Sequence, residues 1–434
     1  MSLYNDHFKI IEQRFSNALT ATQHEGVVIH SGSPQKIYLD DQSYPYKVNP
    51  HFAYWVPMTD CPDSFVAFKP GKKPLLIVLQ ADDFWHTQPQ LSQGPWLELF
   101  DTTSVPNLAQ AEQLLSDYKQ CAWLGDTPHM PIQWGFEKTN PEELLAYLHY
   151  DRAEKTDWEI ELLTTANAIA AKSHLAARDA FLAGASEIDI HNQYLLAMGG
   201  PESALPYSSI VALNSHGAVL HYDKYETTAP EQSIAFLIDA GARHHGYVAD
   251  ITRTWTAPGH SEFQQFIDAI DTEQLALIEA LEVGRAYADY HYDMHSRLAN
   301  VLREFKLINC SADEAVANGV TKAFFPHGLG HLIGLQTHDV AGHQINHQGS
   351  TADTSDGHPF LRLRRDITEG MVFTIEPGCY VIDQLLAKHD GANVINQERI
   401  EWLRPYGGVR IEDTVVMKDN KPVNITRPGF AKLG

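Results

Sequence analysis

Four acidic residues, Asp239, Asp250, Glu376 and Glu412, stand in segments that otherwise read as apolar β-strand. Asp239 closes the run Ile234-Ala235-Phe236-Leu237-Ile238, and Glu376 closes Met371-Val372-Phe373-Thr374-Ile375. Taking a carboxylate out of water costs several kcal/mol, so buried acids need partners. No matching set of Lys or Arg lies in the same segments. Two metal ions about 3.5–4 Å apart, chelated and bridged by carboxylates, would supply the missing charge. The chemistry of such a centre is metal-assisted hydrolysis. Taken singly, each acid reads equally well as a strand-end residue facing solvent.

The stretch Pro326-His327-Gly328-Leu329-Gly330-His331-Leu332-Ile333-Gly334-Leu335-Gln336-Thr337-His338-Asp339 adds three histidines. His327 and His331 have the i, i+4 spacing of a zincin helix, but Gly328 stands where that motif requires Glu. Glycines at 328, 330 and 334 make a helix poor and a close backbone approach favourable. A zincin is excluded. His216, His244, His245, His343 and His347 lack a comparable context and read as solvated or structural.

The elements that must position these groups follow from pattern and punctuation. Residues 1–153 read as a smaller α/β domain, with strands at Val27–His30, 36–39, 64–68 and Leu75–Leu79, a helix over 107–118 and an apolar stretch at 121–124. The Pro-rich aromatic stretch from Tyr44 to Trp55 reads as an ordered loop. Residues 154–434 read as a second, α+β domain. Thr156-Asp157-Trp158-Glu159 is a capping box opening a helix to about residue 181, before Gly184. Ser261-Glu262-Phe263-Gln264 reads as a second box, opening a helix that ends near Gly284. Strands are expected at 209–213, 233–239, 247–256, 371–376 and 409–417. Phe236-Leu237-Ile238-Asp239-Ala240-Gly241 and Phe373-Thr374-Ile375-Glu376-Pro377-Gly378 share the form F-x-I-acid-x-G, and each precedes another acid-bearing strand. The echo implies duplicated half-domains with a site between them.

Composition narrows the classes. The net charge of −23, from 32 basic against 55 acidic residues, disfavours nucleic acid and anionic membrane surfaces. Cys61, Cys121, Cys310 and Cys379 are widely spaced without a CxxC pair, which favours a reducing cytoplasm over a disulfide framework. The N-terminal stretch lacks a signal-peptide apolar core, and runs such as Leu75–Leu79 are too short to span a bilayer.

With these blocks in view, LIDAGA, GYVADITRTW, PHGLGHLIGLQTHDVAG, FTIEPG and GGVRIEDTV resemble, in order and spacing, the five metal-site blocks of the pita-bread metallopeptidases. Within that family they are more similar to the bacterial prolidases than to aminopeptidase P or methionine aminopeptidase. Leu39-Asp40-Asp41, residues 44–50 and Asp83-Phe84-Trp85-His86 resemble the prolidase N-terminal domain, so the resemblance covers nearly the whole chain.

The resemblance implies a C-terminal pita-bread domain, of duplicated αβ halves around curved antiparallel sheets. It implies two divalent ions per subunit, with Mn²⁺ favoured by the oxygen-rich shell. Asp239, Asp250, His331, Glu376 and Glu412 match the metal ligands, and Glu376 is also the expected general base. The expected reaction is hydrolysis of Xaa-Pro dipeptides by a hydroxide held between the ions, with a possible extension to organophosphorus esters. His221 and His338 match histidines that stabilise the oxyanion or receive substrate, with His327 in support. Arg410, two residues before Glu412 on the same strand face, is expected to read the substrate carboxylate, with Arg365 as a second candidate. The segment carrying Arg362, Arg364 and Arg365 otherwise reads as a solvated basic patch. Tyr207 and Tyr287 are expected in the proline pocket. Asp41 and Trp85 are expected on a loop reaching the site of a partner subunit in a homodimer. The alternatives are removal of an N-terminal residue before proline, as in aminopeptidase P, and a non-catalytic binder of the same fold. The intact ligand set argues against the binder.

Overall fold

The computed structural model describes residues 3–89, 91, 94–127 and 129–431. The chain divides into two compact units. The first holds residues 1–152, 156–159 and 346–350, and the second holds the remainder.

The first unit is built on a mixed sheet of six strands, in the order Asp101–Val105, Leu75–Leu79, Phe65–Phe68, Val27–His30, Ala122–Leu124, Lys138–Thr139. Its central strands, VVIH and FVAF, are buried along their whole length and read as continuous apolar runs. Val28, Phe65, Ile77 and Trp123 pack there with Ala111 and Leu115. Helix Leu3–Ala21 contributes Phe8 and Phe15, whose rings lie 5.6 and 5.0 Å from that of Trp55. Residues 346–350 join this unit through His347, which hydrogen-bonds Asp151 at 2.7 Å and lies 4.1 Å from the Tyr147 ring.

Two expectations for this unit fail. Residues 36–39 form no strand. Lys36 makes one bridge to Ser43, the chain turns back through Leu39 at φ 57°, and Tyr38 and Leu39 are left exposed. Residues 50–55, expected as loop, form a helix. Asn49 caps it by accepting from the His51 amide, and Pro50 occupies the first turn, where its missing N–H costs nothing.

The second unit contains two antiparallel sheets of three strands, Thr252–Thr256/Ala235–Asp239/Ile210–Leu213 and Val372–Ile375/Asp413–Lys418/Lys421–Asn424. Each has a two-stranded ribbon: Arg243–His244 with Tyr247–Val248, and Gly378–Tyr380 with Gly408–Arg410. Thr252 and Glu412 bridge one half to the other. Helices Ser261–Glu279 and Tyr287–Glu304 bury Phe266, Ile270, Met294 and Leu298 in a core shared with Phe373, Ile375, Val409 and Val415.

The cap at Thr156 forms in both directions. The Thr156 amide donates to Glu159 Oε2 at 2.8 Å, and the Glu159 amide to Thr156 Oγ1 at 3.4 Å. Helix Asp157–Leu182 follows. The second expected box does not form: Ser261 is already helical, His260 is the N-cap residue without a side-chain bond, and the helix ends at Glu279. The strands expected over 247–256 and 409–417 are each broken, at 249–251 and 411–412. The breaks fall on Asp250 and Glu412.

Candidate metal centre and active site

The four acids occupy equivalent junctions between sheet and ribbon. Asp239 ends the strand that leads into the first ribbon, and Asp250 lies between that ribbon and the returning strand. Glu376 lies between Val372–Ile375 and Gly378–Tyr380, and Glu412 between Gly408–Arg410 and Asp413–Lys418. The two halves are not identical in register: Asp239 itself pairs with Thr252, whereas Ile375 and Asp413 are the last paired residues of the other ladder. At a junction the side chain leaves the period-two alternation and can turn toward the space between the halves.

His331 reaches the same space from the glycine-rich stretch. The stretch runs beside strand Val372–Ile375: the His331 amide donates to Thr374 Oγ1 at 3.1 Å, and the Glu376 amide to the Leu329 carbonyl at 2.7 Å. Gly330 lies so close to the Thr374 carbonyl and the Tyr287 hydroxyl that a Cβ there would collide with both.

All five groups line one cavity of about 640 Å³. His331 Nδ1 is 2.9 Å from the Leu332 carbonyl, which can only accept, so Nδ1 carries the proton. Nε2 then faces Asp250 Oδ2 at 3.4 Å, Glu376 Oε1 at 3.7 Å and Glu412 Oε1 at 3.8 Å. Thr252 Oγ1 donates to Glu412 Oε2 at 2.8 Å. The Tyr207 hydroxyl lies 2.9 Å from Asp239 Oδ1 and also contacts Asp250 Oδ1. It has one proton to give, so the two carboxylates compete for it.

Charge in this cavity is out of balance. Among the described residues that line it, the permanent cations are Arg362 and Arg410. Burial pushes Glu376 up to about 7, partly offset by His331. Burial, followed by Asp250, Glu376 and Asp239, raises Glu412 well above the carboxylate range. Burial also raises Asp239, with Arg410 opposing. Asp250 is held down: burial opposes this, but the hydrogen bond and charge of His331 prevail. His331 is raised, because Asp250 and Glu376 together outweigh its burial. Asp413, beside Glu412 in sequence, is a control. It is fully buried yet held below the usual range, despite its burial, by Arg253 at 2.5 Å and Arg427 at 2.6 Å. This fold pairs a buried acid with arginines where no ion is wanted. Of the four cavity carboxylates Asp239 has an arginine partner, Arg410, while Asp250, Glu376 and Glu412 are in no arginine salt bridge among the described residues. Four carboxylates and one imidazole with so little cationic compensation fit a pair of divalent cations.

The other expected site residues divide. His221 and His338 line the cavity, and the His338 ring meets that of His331 edge-on at 4.5 Å. Burial, then His331 and Arg362, push His338 down to about 4, so it is neutral at neutral pH. His327 also lines the cavity, with Nε2 2.8 Å from the Tyr380 hydroxyl. Arg410 lines it too, but its guanidinium is engaged: Nη2 donates to Asp239 at 2.9 Å, Nη1 to Tyr380 at 3.1 Å and Nε to Thr252 at 3.2 Å. Arg365 is buried and is not among the lining residues; Arg362, three residues earlier, is exposed and is. Tyr287 is fully buried, with its hydroxyl on the Thr374 carbonyl at 2.7 Å, and belongs to the wall behind Gly330 rather than to the cavity lining. Asp41 and Trp85 are exposed side chains of the first unit.

Arg362 and His343 are lining residues that were not singled out for the site. The signal for Arg362 was alternation: Leu361 and Leu363 are buried and Arg362 is not. His343 Nε2 lies 2.8 Å from the Leu361 carbonyl, a placement with no local pattern.

Residues 161–419 match the family described as metallopeptidase family M24, and residues 2–150 match the Xaa-Pro dipeptidase N-terminal domain. The chain belongs to metallopeptidase family M24, whose members are hydrolases dependent on divalent metal. It is 45% identical over 437 residues to Xaa-Pro dipeptidase 2 of Idiomarina loihiensis, covering 100% of both chains. It is also 45% identical to Xaa-Pro dipeptidase of Xanthomonas axonopodis pv. citri, over 99% of this chain and 98% of that one. Among solved structures it is similar to Escherichia coli aminopeptidase P with the inhibitor Pro-Leu (TM-score 0.74, 20% identity, 96% of this chain and 95% of that). It is likewise similar to an aminopeptidase of Pseudomonas aeruginosa (TM-score 0.73, 22% identity, 97% and 95%). At those identities the likeness shows the fold, a pita-bread domain with an N-terminal domain before it.

Proposed function

We propose that this chain is an Xaa-Pro dipeptidase that works with two divalent ions held by Asp239, Asp250, His331, Glu376 and Glu412. The observation that carries the reading is the convergence of Asp250, Glu376 and Glu412 on His331 Nε2, none of them in an arginine salt bridge among the described residues, with Asp239 lining the same cavity. The bound ions would bring a water into the neutral pKa range and polarise the scissile carbonyl. Glu376, placed at the junction beside the centre, would take the proton of the attacking water and pass it to the leaving proline nitrogen. His338 and His221, at the cavity wall, donate to the oxygen that becomes negative. Arg362 offers an exposed guanidinium for the carboxylate of the substrate proline. Arg410 holds Asp239 in place and joins Tyr380 and His327 into one hydrogen-bonded chain.

The oxygen-rich donor set favours Mn²⁺. The cysteine usage and acidic surface support a cytoplasmic protein. Asp41 and Trp85, both exposed, are assigned to a loop that closes the site of a partner subunit in a homodimer. The whole-chain likeness to Xaa-Pro dipeptidases supports this reading over aminopeptidase P, for which the likeness speaks to fold. Comparing Leu-Pro with Leu-Pro-Gly, with and without chelation, tests it. Metal-dependent cleavage of the dipeptide and poor cleavage of the tripeptide are expected; efficient cleavage of Leu-Pro-Gly would sink the dipeptidase reading.

A further inference from the structure

Outside the carboxylate centre, three imidazoles converge. His291 and His295 stand four residues apart on helix Tyr287–Glu304, which places them one turn apart on one face. His358 joins them from the loop after Asp353. One nitrogen of each ring lies within 4.8 Å of one from each of the others. Ring centroids are 4.5 Å apart for His291 and His358, 4.7 Å for His291 and His295, and 5.0 Å for His295 and His358. His291 and His295 are buried, at 1% and 3% exposure, and His358 is half-buried. Among the described residues, His295 Nε2 is buried without a hydrogen-bond partner. A buried ring nitrogen left unsatisfied carries a desolvation cost that a bound cation would remove.

We propose that His291, His295 and His358 form a further metal site, distinct from the carboxylate centre, that takes one Zn²⁺ ion. The donor set decides the metal. Three imidazoles with no free carboxylate suit Zn²⁺, Ni²⁺ or Cu²⁺ and are poor for Mn²⁺ or Mg²⁺, which favour oxygen. Asp356, the nearby acid, is occupied by Arg364 at 2.6 Å and by Tyr292. Lys322, whose Nζ lies 3.2 Å from the Gly357 carbonyl, adds positive charge, so affinity must come from the nitrogens themselves. His291 Nε2 and His358 Nδ1 are 2.7 Å apart, a hydrogen-bond separation. An ion entering between them exchanges that bond for two metal–nitrogen bonds of about 2.0–2.1 Å and parts the rings slightly.

The site has a structural consequence. His358 is followed by Pro359, Phe360, Leu361 and Arg362, all of which line the active-site cavity. An ion on the three histidines ties that wall to helix Tyr287–Glu304.

The test is zinc content after Mn²⁺ loading and dialysis against Zn²⁺. Wild type should hold one more zinc equivalent than His358→Gln, and His291→Asn should show the same loss. The chain carrying Asp250→Asn and Glu412→Gln, which disables the carboxylate centre, should still hold one Zn²⁺ and lose it when His358→Gln is added. That background separates failure of this site from failure of the carboxylate centre. Added Zn²⁺ should raise the thermal midpoint of the disabled chain and leave that of its His358→Gln derivative unchanged. Equal zinc content with and without His358 in both backgrounds overturns the proposal. His358 lies on a half-exposed loop, so its variant remains readable where His291→Asn fails to fold.

Discussion

Arg410 Nη2 donates to Asp239 Oδ2 at 2.9 Å, and the two side chains are 5% and 16% exposed. Arg410 lines the cavity as expected, although the strand that was to carry it and Glu412 on one face is broken at 411–412, and its partner was not legible in the sequence. A guanidinium already joined to a metal-ligand candidate serves the centre before it serves a substrate.

Arg410→Ala should therefore be read in stability first. Removing one partner of a buried pair costs about 3–5 kcal/mol, because the remaining charge is left without compensation. The loss should be large in chelator and smaller with Mn²⁺ present, since bound cations take over the compensation of Asp239. Urea unfolding in both conditions measures it; an equal loss in both would show that Arg410 acts independently of the centre.

Metal-free protein should lose stability as pH rises from about 4.5 to about 7. Glu376 has a folded pKa of about 7 against an ordinary 4.5, so the folded state binds the extra proton in that window. One proton of difference gives a slope of about 1.4 kcal/mol per pH unit. Glu412 and Asp239, both raised by burial, add to it. His331, also raised, adds to it above its unfolded value, whereas Asp250, held down, is ionised in both states across this window and acts only at lower pH. Glu376→Gln should flatten the slope and stabilise the metal-free chain at pH 8, while weakening metal binding. Urea midpoints across pH in chelator check the sign.

Protein prepared in excess Mn²⁺ should carry about two Mn²⁺ per chain, with turnover lost on chelation and restored by Mn²⁺. Asp250→Asn, which touches both the His331 and Tyr207 sides of the centre, should reduce the count to one or fewer. Elemental analysis decides between this and a mononuclear site, which would show one Mn²⁺ at full activity.

Arg362→Ala should lower kcat/KM for Leu-Pro by about 10- to 100-fold, the equivalent of one charge-assisted hydrogen bond of about 1.5–3 kcal/mol. The effect should fall mainly on KM. Lys at 362 should restore part of the loss, because it keeps the charge without the planar fork. Arg365→Lys, at a buried position away from the lining, should leave KM close to wild type. A KM effect at 365 and none at 362 would reverse the assignment.

How far the sequence could be read depended on whether the signal was local. The cap at Thr156 and the alternation around Leu361, Arg362 and Leu363 are properties of a few adjacent residues, and both persist in the structure. The breaks at Asp250 and Glu412 were hidden, because the apolar pattern continues across them while the backbone changes sheets. Tyr287 was expected in the pocket because its chemistry suits one; packing behind Gly330 placed it in the wall instead. The helix at Pro50 was missed by weighing prolines as breakers, when an Asn-Pro pair also opens a helix. The pairing of His291 and His295 with His358 needed a loop 63 residues further along the chain than His295 to be placed, and no local pattern supplies that.

The bridge between Thr252 and Glu412 has a meaning for biosynthesis. The Glu412 amide donates to the Thr252 carbonyl at 3.0 Å, and the Thr252 hydroxyl returns a bond to the Glu412 carboxylate. A ribosome releases Asp239 and Asp250 well before it makes Glu376 and Glu412, so the growing polypeptide carries half of the proposed centre while the residues between 250 and 412 are added. A product stalled before residue 412 has neither the bridge nor the final acid, and it is expected to be inert toward the peptides around it. On the proposed ligand set, hydrolytic capability would arrive only when the polypeptide has passed residue 412.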